Sequence, residues 1–208
     1  ANMSFYIMDW TDVQVEVVDP SNNVDFGDNQ PWQQVIANLD DGKISGFDAD
    51  ITAMVGQNLE VGFNLTWINE NEVAASPVAD DRFIGGYADV GLDATSQLPM
   101  FADQSYSMYM TYSFDTADFG LGAGDGYITV MHSYQGESLN QLTGSANAPR
   151  EIQGDYRITD LTMGFEYESW QATLFARNLT DERGITFKDN SDFDPYFGRA
   201  TYFVTPPR

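Results

Sequence analysis

Three acidic clusters, one histidine and a group of aromatics between strands are the residues whose types and spacing point to chemistry. The clusters are Asp40-Asp41, Asp80-Asp81 and the run from Asp189 to Asp194. Ca²⁺ takes six to eight oxygen ligands, so loop carboxylates of this kind can hold it. None of the three has the spaced Asp/Asn and Gly pattern of an EF-hand loop, so solvated loop charge stands beside loop-bound calcium as a reading. His132 is the single histidine. A Ser–His–Asp triad or a multi-histidine metal site would have to be built on it alone, and no nucleophile motif lies near it. It reads as a pore-lining or packed side chain. The aromatics Trp32, Phe83, Tyr87, Phe101, Phe193, Tyr196 and Phe197 fall in segments expected to be exposed. Rings there stack on a ligand or pack loops against each other. Trp32, Phe83, Tyr87 and Tyr196 are the ligand-binding candidates. No catalytic residue and no other cofactor emerges.

Composition narrows the partners. The 208 residues carry 32 Asp and Glu against 9 Lys and Arg, a formal charge of −23. Nucleic-acid binders need a basic face, so nucleic acid is excluded as a partner, and a polybasic contact with anionic headgroups is disfavoured. The absence of cysteine excludes disulfide scaffolds, thiolate zinc sites and cysteine nucleophiles. Asn64-Leu65-Thr66 and Asn178-Leu179-Thr180 fit the glycosylation pattern, but both fall in or at the end of expected strands, where a chance match is the plainer reading. Gly85-Gly86 reads as a tight turn, since no phosphate-loop lysine follows.

The elements that must position these residues are strands. Leu59, Val61, Phe63, Leu65 and Trp67 alternate with Glu60, Gly62, Asn64 and Thr66. Tyr106, Met108, Met110, Tyr112 and Phe114 alternate with Ser107, Tyr109, Thr111 and Ser113. Successive side chains of a strand point to opposite faces, so each strand has one apolar and one polar side. Seven main strands are expected. They cover about Met3 to Val18 (bent near Asp9 to Asp12), Ile44 to Val55, Leu59 to Glu70, Gln104 to Phe114, Gly126 to Gln135, Tyr156 to Tyr167 and Trp170 to Leu179. A phase change between Ile158 and Leu161 predicts a bulge near Thr159 or Asp160.

Connections then run alternately long and short, which puts all short turns at one end of an up-and-down sheet. Outer-membrane barrels have that asymmetry, with short periplasmic turns and long outer loops. The strands match the roughly 9–11 residues that cross a bilayer at a tilt. Trp10, Trp67, Tyr106, Phe114, Tyr134, Tyr167 and Trp170 sit near strand ends, where interfacial girdles belong. The expected lipid face carries Leu59, Phe63, Met108, Met110, Tyr112, Phe165 and Leu174. The expected lumen face carries Glu60, Asn64, Thr111, Thr162, Glu166 and Thr173. No apolar run reaches the roughly 20 residues of a membrane helix. A soluble β-sandwich or barrel has the same alternation, because periodicity shows an apolar face and not what covers it.

Phe175-Ala176-Arg177-Asn178-Leu179-Thr180-Asp181-Glu182-Arg183 resembles the penultimate-strand motif of TonB-dependent outer-membrane receptors. Lys43 to Asp50 and Phe5 to Gln14 resemble two further segments of that family, in matching order. The resemblance implies an all-β, antiparallel up-and-down barrel segment of about seven strands, the C-terminal part of a larger barrel of about 22. Residues 1–208 are then one unit, with the plug domain and the final strand outside it. It also implies a Gram-negative outer-membrane receptor, not an enzyme, importing a siderophore, cobalamin or oligosaccharide. Its partners would be the rest of the barrel and plug, the TonB complex reached through the N-terminal part, outer-membrane lipid and the ligand. The alternatives are a passive porin-like barrel and a secreted soluble β-rich protein binding carbohydrate or calcium.

Overall fold

The computed structural model describes residues 1–18, 34–38, 41–74, 95–142, 150–189 and 201–207. The chain runs through β1 (Asn2–Trp10), β2 (Gln14–Val18), β3 (Gln34–Asn38), β4 (Gly42–Val55), β5 (Leu59–Ala74), β6 (Thr95–Ser96) and β7 (Gln104–Asp115). It continues through β8 (Asp125–Gln135), β9 (Ser138–Leu139), β10 (Ile152–Gln153), β11 (Tyr156–Tyr167), β12 (Trp170–Ala176), β13 (Ile185–Asp189) and β14 (Thr201–Val204). Seven of these form one antiparallel sheet in the order β1, β4, β5, β7, β8, β11, β12, and β6 pairs antiparallel beside the end of β5. Each main strand pairs with the next main strand in sequence, the up-and-down topology expected. The sheet does not close, and β1 and β12 lie at its two edges.

The register joins side chains of one kind. Leu59, Val61 and Phe63 face Tyr112, Met110 and Met108. Met110 and Tyr112 face Val130 and Ile128, Ile128 faces Met163, and Met163 and Phe165 face Leu174 and Ala172. This is one continuous apolar face. Opposite it, Glu60 faces Thr111, Thr111 faces Thr129, and Thr129 faces Thr162. The expected lipid and lumen sets therefore fall on opposite faces, because a strand's period of two fixes which residues share a side.

Aromatic rings mark both ends of the apolar face. At the long-connection end Phe5, Phe47 and Trp67 form a row, with ring centroids 5.7 and 6.3 Å apart. Tyr106 and Tyr134 stack at 5.1 Å beside them. At the short-turn end Tyr167 stacks on Trp170 at 4.3 Å, and Phe114 meets Phe165 edge-on at 6.3 Å. Tyr106 to Phe114 is nine residues inclusive, the roughly 9–11 of a tilted bilayer crossing.

A bulge ends this pattern. Gly46 pairs with Ile68 but Ser45 pairs with Glu70, so Asn69 is extra. One added residue exchanges the faces of everything beyond it on that strand. Glu70 and Glu72 thereby come beside Ser45 and Lys43 on the outward side. Lys43 Nζ lies 3.0 Å from Glu70 Oε2, and Ser45 Oγ donates to the same oxygen at 2.7 Å. The hydrogen bond from Ser45, then Lys43, holds the Glu70 carboxyl below its ordinary range. On the other side Ile44, Asn71 and Val73 turn inward and are buried with Val13 and Leu98. Asn71 clamps Leu98, donating to its carbonyl and accepting from its N–H, both at 3.2 Å. The small core of the molecule sits here, above the aromatic row.

Four expectations need correction. The bulge falls between Ser45 and Gly46, not near Thr159 or Asp160: β11 pairs with β8 unbroken from Tyr156 to Glu166. Both polar residues are satisfied in place, Thr159 by His132 and Asp160 by the backbone N–H of Asn178, so no register shift is needed. The first strand breaks at Thr11–Val13, and β2 leaves the sheet to pair with β3, a strand that is not among the seven expected. A second hairpin, β13 with β14, forms after Leu179, beyond the last of the seven expected strands. The seventh strand stops at Ala176, not Leu179, because Asn178 turns the chain at φ +51°.

Candidate functional site

The polar face is the surface best equipped to meet a ligand. A concavity of about 510 Å³ on it is walled by β1, β4, β5, β7 and β8. Asp48, Asp50, Asn64, Thr66, Ser107 and Gln135 supply its hydrogen-bonding groups. Alternation puts every one of them on this side. Thr66 donates to Asp48 Oδ1 at 2.8 Å, and Asn64 Nδ2 reaches Ser107 Oγ at 3.4 Å. Further toward the short turns the Thr111 and Thr129 hydroxyls pair at 2.9 Å.

Three tyrosines organise this face. Tyr6, Tyr109 and Tyr127 stand directly opposite Gly46, Gly62 and Gly164 in the ladder. Each ring lies over its glycine: a Cβ on Gly62 would come 2.0 Å from Tyr109 Cε1, and one on Gly164 would come 2.1 Å from Tyr127 Cε1. A glycine bends a sheet and leaves backbone bare, and a cross-strand aromatic covers it. Tyr109 also donates its hydroxyl to Glu60 Oε1 at 2.7 Å. Nothing in the alternation alone reveals these pairs; they need the register.

Within β1, β4, β5, β7, β8, β11 and β12 the bases are Lys43 and Arg157, and their register partners place both on the opposite, apolar side. The polar face of these strands thus carries Asp48, Asp50, Glu60, Asp160 and Glu166 without a strand Lys or Arg. It offers carboxylate, hydroxyl and amide groups and no cation to balance a polyanion. No group of His, Asp and Glu able to hold a metal occurs among the described residues.

His132 belongs to the apolar side. It pairs across the ladder with Met108 and Thr159, its Nδ1 is 2.8 Å from Thr159 Oγ1, and its ring lies 6.2 Å from Tyr106. Of the two readings left open, it is packed and not pore-lining. Trp32, Phe83, Tyr87 and Tyr196 lie outside the described residues, as do Phe193 and Phe197. Of the acidic clusters, Asp80-Asp81 lies wholly outside them, Asp40-Asp41 lies half outside, and the run from Asp189 to Asp194 lies outside except for Asp189. Phe101 is described and exposed.

The Asn178 motif is a structural hub. Its N–H donates to Asp160 Oδ1 at 2.7 Å, and its Oδ1 accepts from the Glu182 N–H at 2.8 Å. Its Nδ2 donates to the carbonyls of Glu182 and Pro206 at 2.9 and 2.8 Å. Thr205 Oγ1 adds a bond to the Glu182 carbonyl. Asparagine tolerates the left-handed backbone and has both donor and acceptor, so one side chain ties β12, the turn after it and the segment after β14.

The model of the TonB dependent receptor-like β-barrel matches residues 1–179. The chain belongs to the TonB-dependent receptor β-barrel family. Receptors of this family are proteins of the Gram-negative outer membrane, transporters and not enzymes, and their barrels turn the apolar face to lipid. No curated protein matches the sequence. A chain in the structure of the FpvAI–pyocin S2 complex is similar with a TM-score of 0.55 at 16% identity, over 97% of this chain and 22% of that one. At that identity the likeness shows the fold, and the present chain spans about a fifth of that chain's length. An open seven-stranded sheet is what such a share of a large barrel looks like.

Proposed function

We propose that this chain is barrel wall from an outer-membrane TonB-dependent receptor that binds a scarce ligand at its outer face. Import follows through a plugged lumen when the TonB complex supplies energy. The observation that carries this reading is the family match over 1–179 on a sheet with one unbroken apolar face and one polar face. Siderophore, cobalamin and oligosaccharide are the ligand classes in view. The cation-free polar wall favours a neutral, hydroxyl-rich or cationic ligand over a polyanion. Long outer loops carrying Trp32, Phe83, Tyr87 and Tyr196 form part of the entrance, and calcium held by loop carboxylates fits the same acidic loops.

Ligand uptake by cells carrying the receptor, with and without functional TonB, tests it. Saturable uptake that disappears without TonB supports the receptor. Uptake that is linear in ligand concentration and indifferent to TonB sinks it in favour of a passive pore.

A further inference from the structure

The hairpin β13–β14 is held at two places, and the two differ in kind. At its root the Thr205 N–H donates to the Gly184 carbonyl at 2.9 Å, and Asn178 ties the neighbouring Glu182 and Pro206. Gly184 lies so close to Tyr156 of β11 that a Cβ on it would come 2.3 Å from that side chain. Further along β13, Lys188 enters a socket on the connection between β8 and β11. Gln153 Oε1 accepts from the Lys188 N–H at 2.9 Å, and Asn140 Nδ2 donates to the Lys188 carbonyl at 3.5 Å. Two side-chain amides thus take the place of a ladder strand. The ammonium pairs with Glu151 and lies 5.1 Å from the centre of the Tyr202 ring, opposite it in the hairpin. Asn140, Gln153 and Lys188 are all buried. The socket is fixed from behind. Gln153 Nε2 donates to Ser138 Oγ and the Leu139 carbonyl at 3.2 and 3.4 Å, and the same carbonyl accepts from the Met100 N–H at 2.9 Å.

We propose that β13–β14 is a hinged strap, rooted at Asn178 and Gly184 and latched by Lys188 into the socket of Asn140, Glu151 and Gln153. Its place at the outer mouth rests on the receptor reading; the hinge and the latch rest on these contacts alone. Three physical arguments carry it. A ladder of two residues such as β9–β10 and a short hairpin such as β13–β14 are each marginal alone, so their docking decides whether both are ordered. The junction is polar, built from amides and an ion pair, while Ile152 of β10 and Phe203 and Val204 of β14 remain exposed. Undocking therefore uncovers little apolar surface and returns polar groups to water, which makes it a local opening well short of unfolding the sheet. The root keeps its own bonds when the latch opens, because none of them passes through Lys188. The strap swings about a fixed base, and the socket, tied to Met100 and Leu139, stays behind with the wall.

Hydrogen exchange read by mass spectrometry on the full receptor, without any ligand, tests this independently of uptake. Gln153→Met keeps the volume and removes the amide. It is expected to speed exchange in β13 and β14 by roughly 2- to 10-fold, the scale of one lost hydrogen bond. Exchange from Asn178 to Arg183 and from Tyr106 to Phe114 is expected to stay as in the wild type. Lys188→Met keeps the stem and the peptide bonds to the socket and removes the ion pair. In the wild type, raising the salt concentration is expected to speed exchange of the hairpin about twofold, and in Lys188→Met that response is expected to vanish. Unchanged exchange of β13 and β14 in Gln153→Met would overturn the latch. Faster exchange at the root or in the sheet would overturn the hinge. An equal salt response in Lys188→Met and wild type would remove the ion pair from the latch.

Discussion

Tyr109 lies flat over Gly62, its partner across the ladder, and reaches past it to donate its hydroxyl to Glu60. Gly62 is buried by that ring. A side chain at position 62 forces the ring out and breaks the bond to Glu60. Gly62→Val is expected to destabilise the barrel by about 1–3 kcal/mol, the usual cost of overpacking. Tyr109→Phe keeps the ring, loses only the hydrogen bond to Glu60, and is expected to cost less than Gly62→Val. Heat-modifiable gel mobility across a temperature series separates the two. Equal melting of Gly62→Val and wild type would refute the pairing.

The two faces of β7 predict opposite tolerances. Met110→Arg places a cation on the lipid side and is expected to cost about 2–4 kcal/mol near the bilayer midplane. Thr111→Arg, one residue on, faces the lumen and is expected to assemble normally. The amount of folded protein in the outer membrane reports both. Similar assembly of the two variants would exclude this orientation of the sheet.

Asn178 is expected to be irreplaceable in its loop. Alanine there loses three side-chain hydrogen bonds and keeps a left-handed backbone without compensation, a cost of about 2–4 kcal/mol. Its effect is local, so limited proteolysis should cut faster between Thr180 and Pro206 while the strands stay intact. Asn178→Asp retains the bond from the Glu182 N–H and loses both donations, so it should fall between alanine and wild type.

Lys188 joins two of the connections at the loop end. It is buried, its ammonium pairs with Glu151, and its N–H donates to Gln153 Oε1 at 2.9 Å. Lys188→Ala is expected to release the β13–β14 hairpin from β10 at a cost of about 1–3 kcal/mol, less than for a fully buried pair because Glu151 is partly exposed. Hydrogen exchange at Gln153 and Leu139 should accelerate. Unchanged protection there would show that the contact does not hold the loops together.

Glu70 makes the tip of β4 and β5 acid-sensitive. Its folded carboxyl is held below the ordinary range by Ser45 and Lys43. The stabilisation is therefore present above the ordinary glutamate range and is lost as pH falls through the lowered value. Exchange protection at Ser45 and Asn71 should decline over that acid window in the wild type. In Glu70→Gln it should be weaker and flat with pH. A wild-type profile as flat as the variant's would remove Glu70 from the account.

The sequence by itself determined the faces of the main strands, the seven of the large sheet and their up-and-down order. A period of two is local, so Leu59 to Trp67 and Tyr106 to Phe114 declare their apolar sides without knowledge of any partner. Short turns such as Gly56-Gln57-Asn58 then leave little choice of neighbour. The Asn178 segment was legible as a family motif before its bonds to Glu182 and Pro206 were known.

Only the tertiary structure decided what depends on register. Ile158 and Leu161 looked out of phase, yet Thr159 and Asp160 find partners on β8 and beyond β12, so β11 runs straight. The displaced residue is Asn69, whose position follows from how Glu70 meets Ser45 across the ladder. His132 took its side from Met108 and Thr159, and the tyrosines found their glycines in the same way. Alternation fixes which side of its own strand a residue occupies. The hydrogen-bonded partner, tens of residues away in sequence, decides what it meets there.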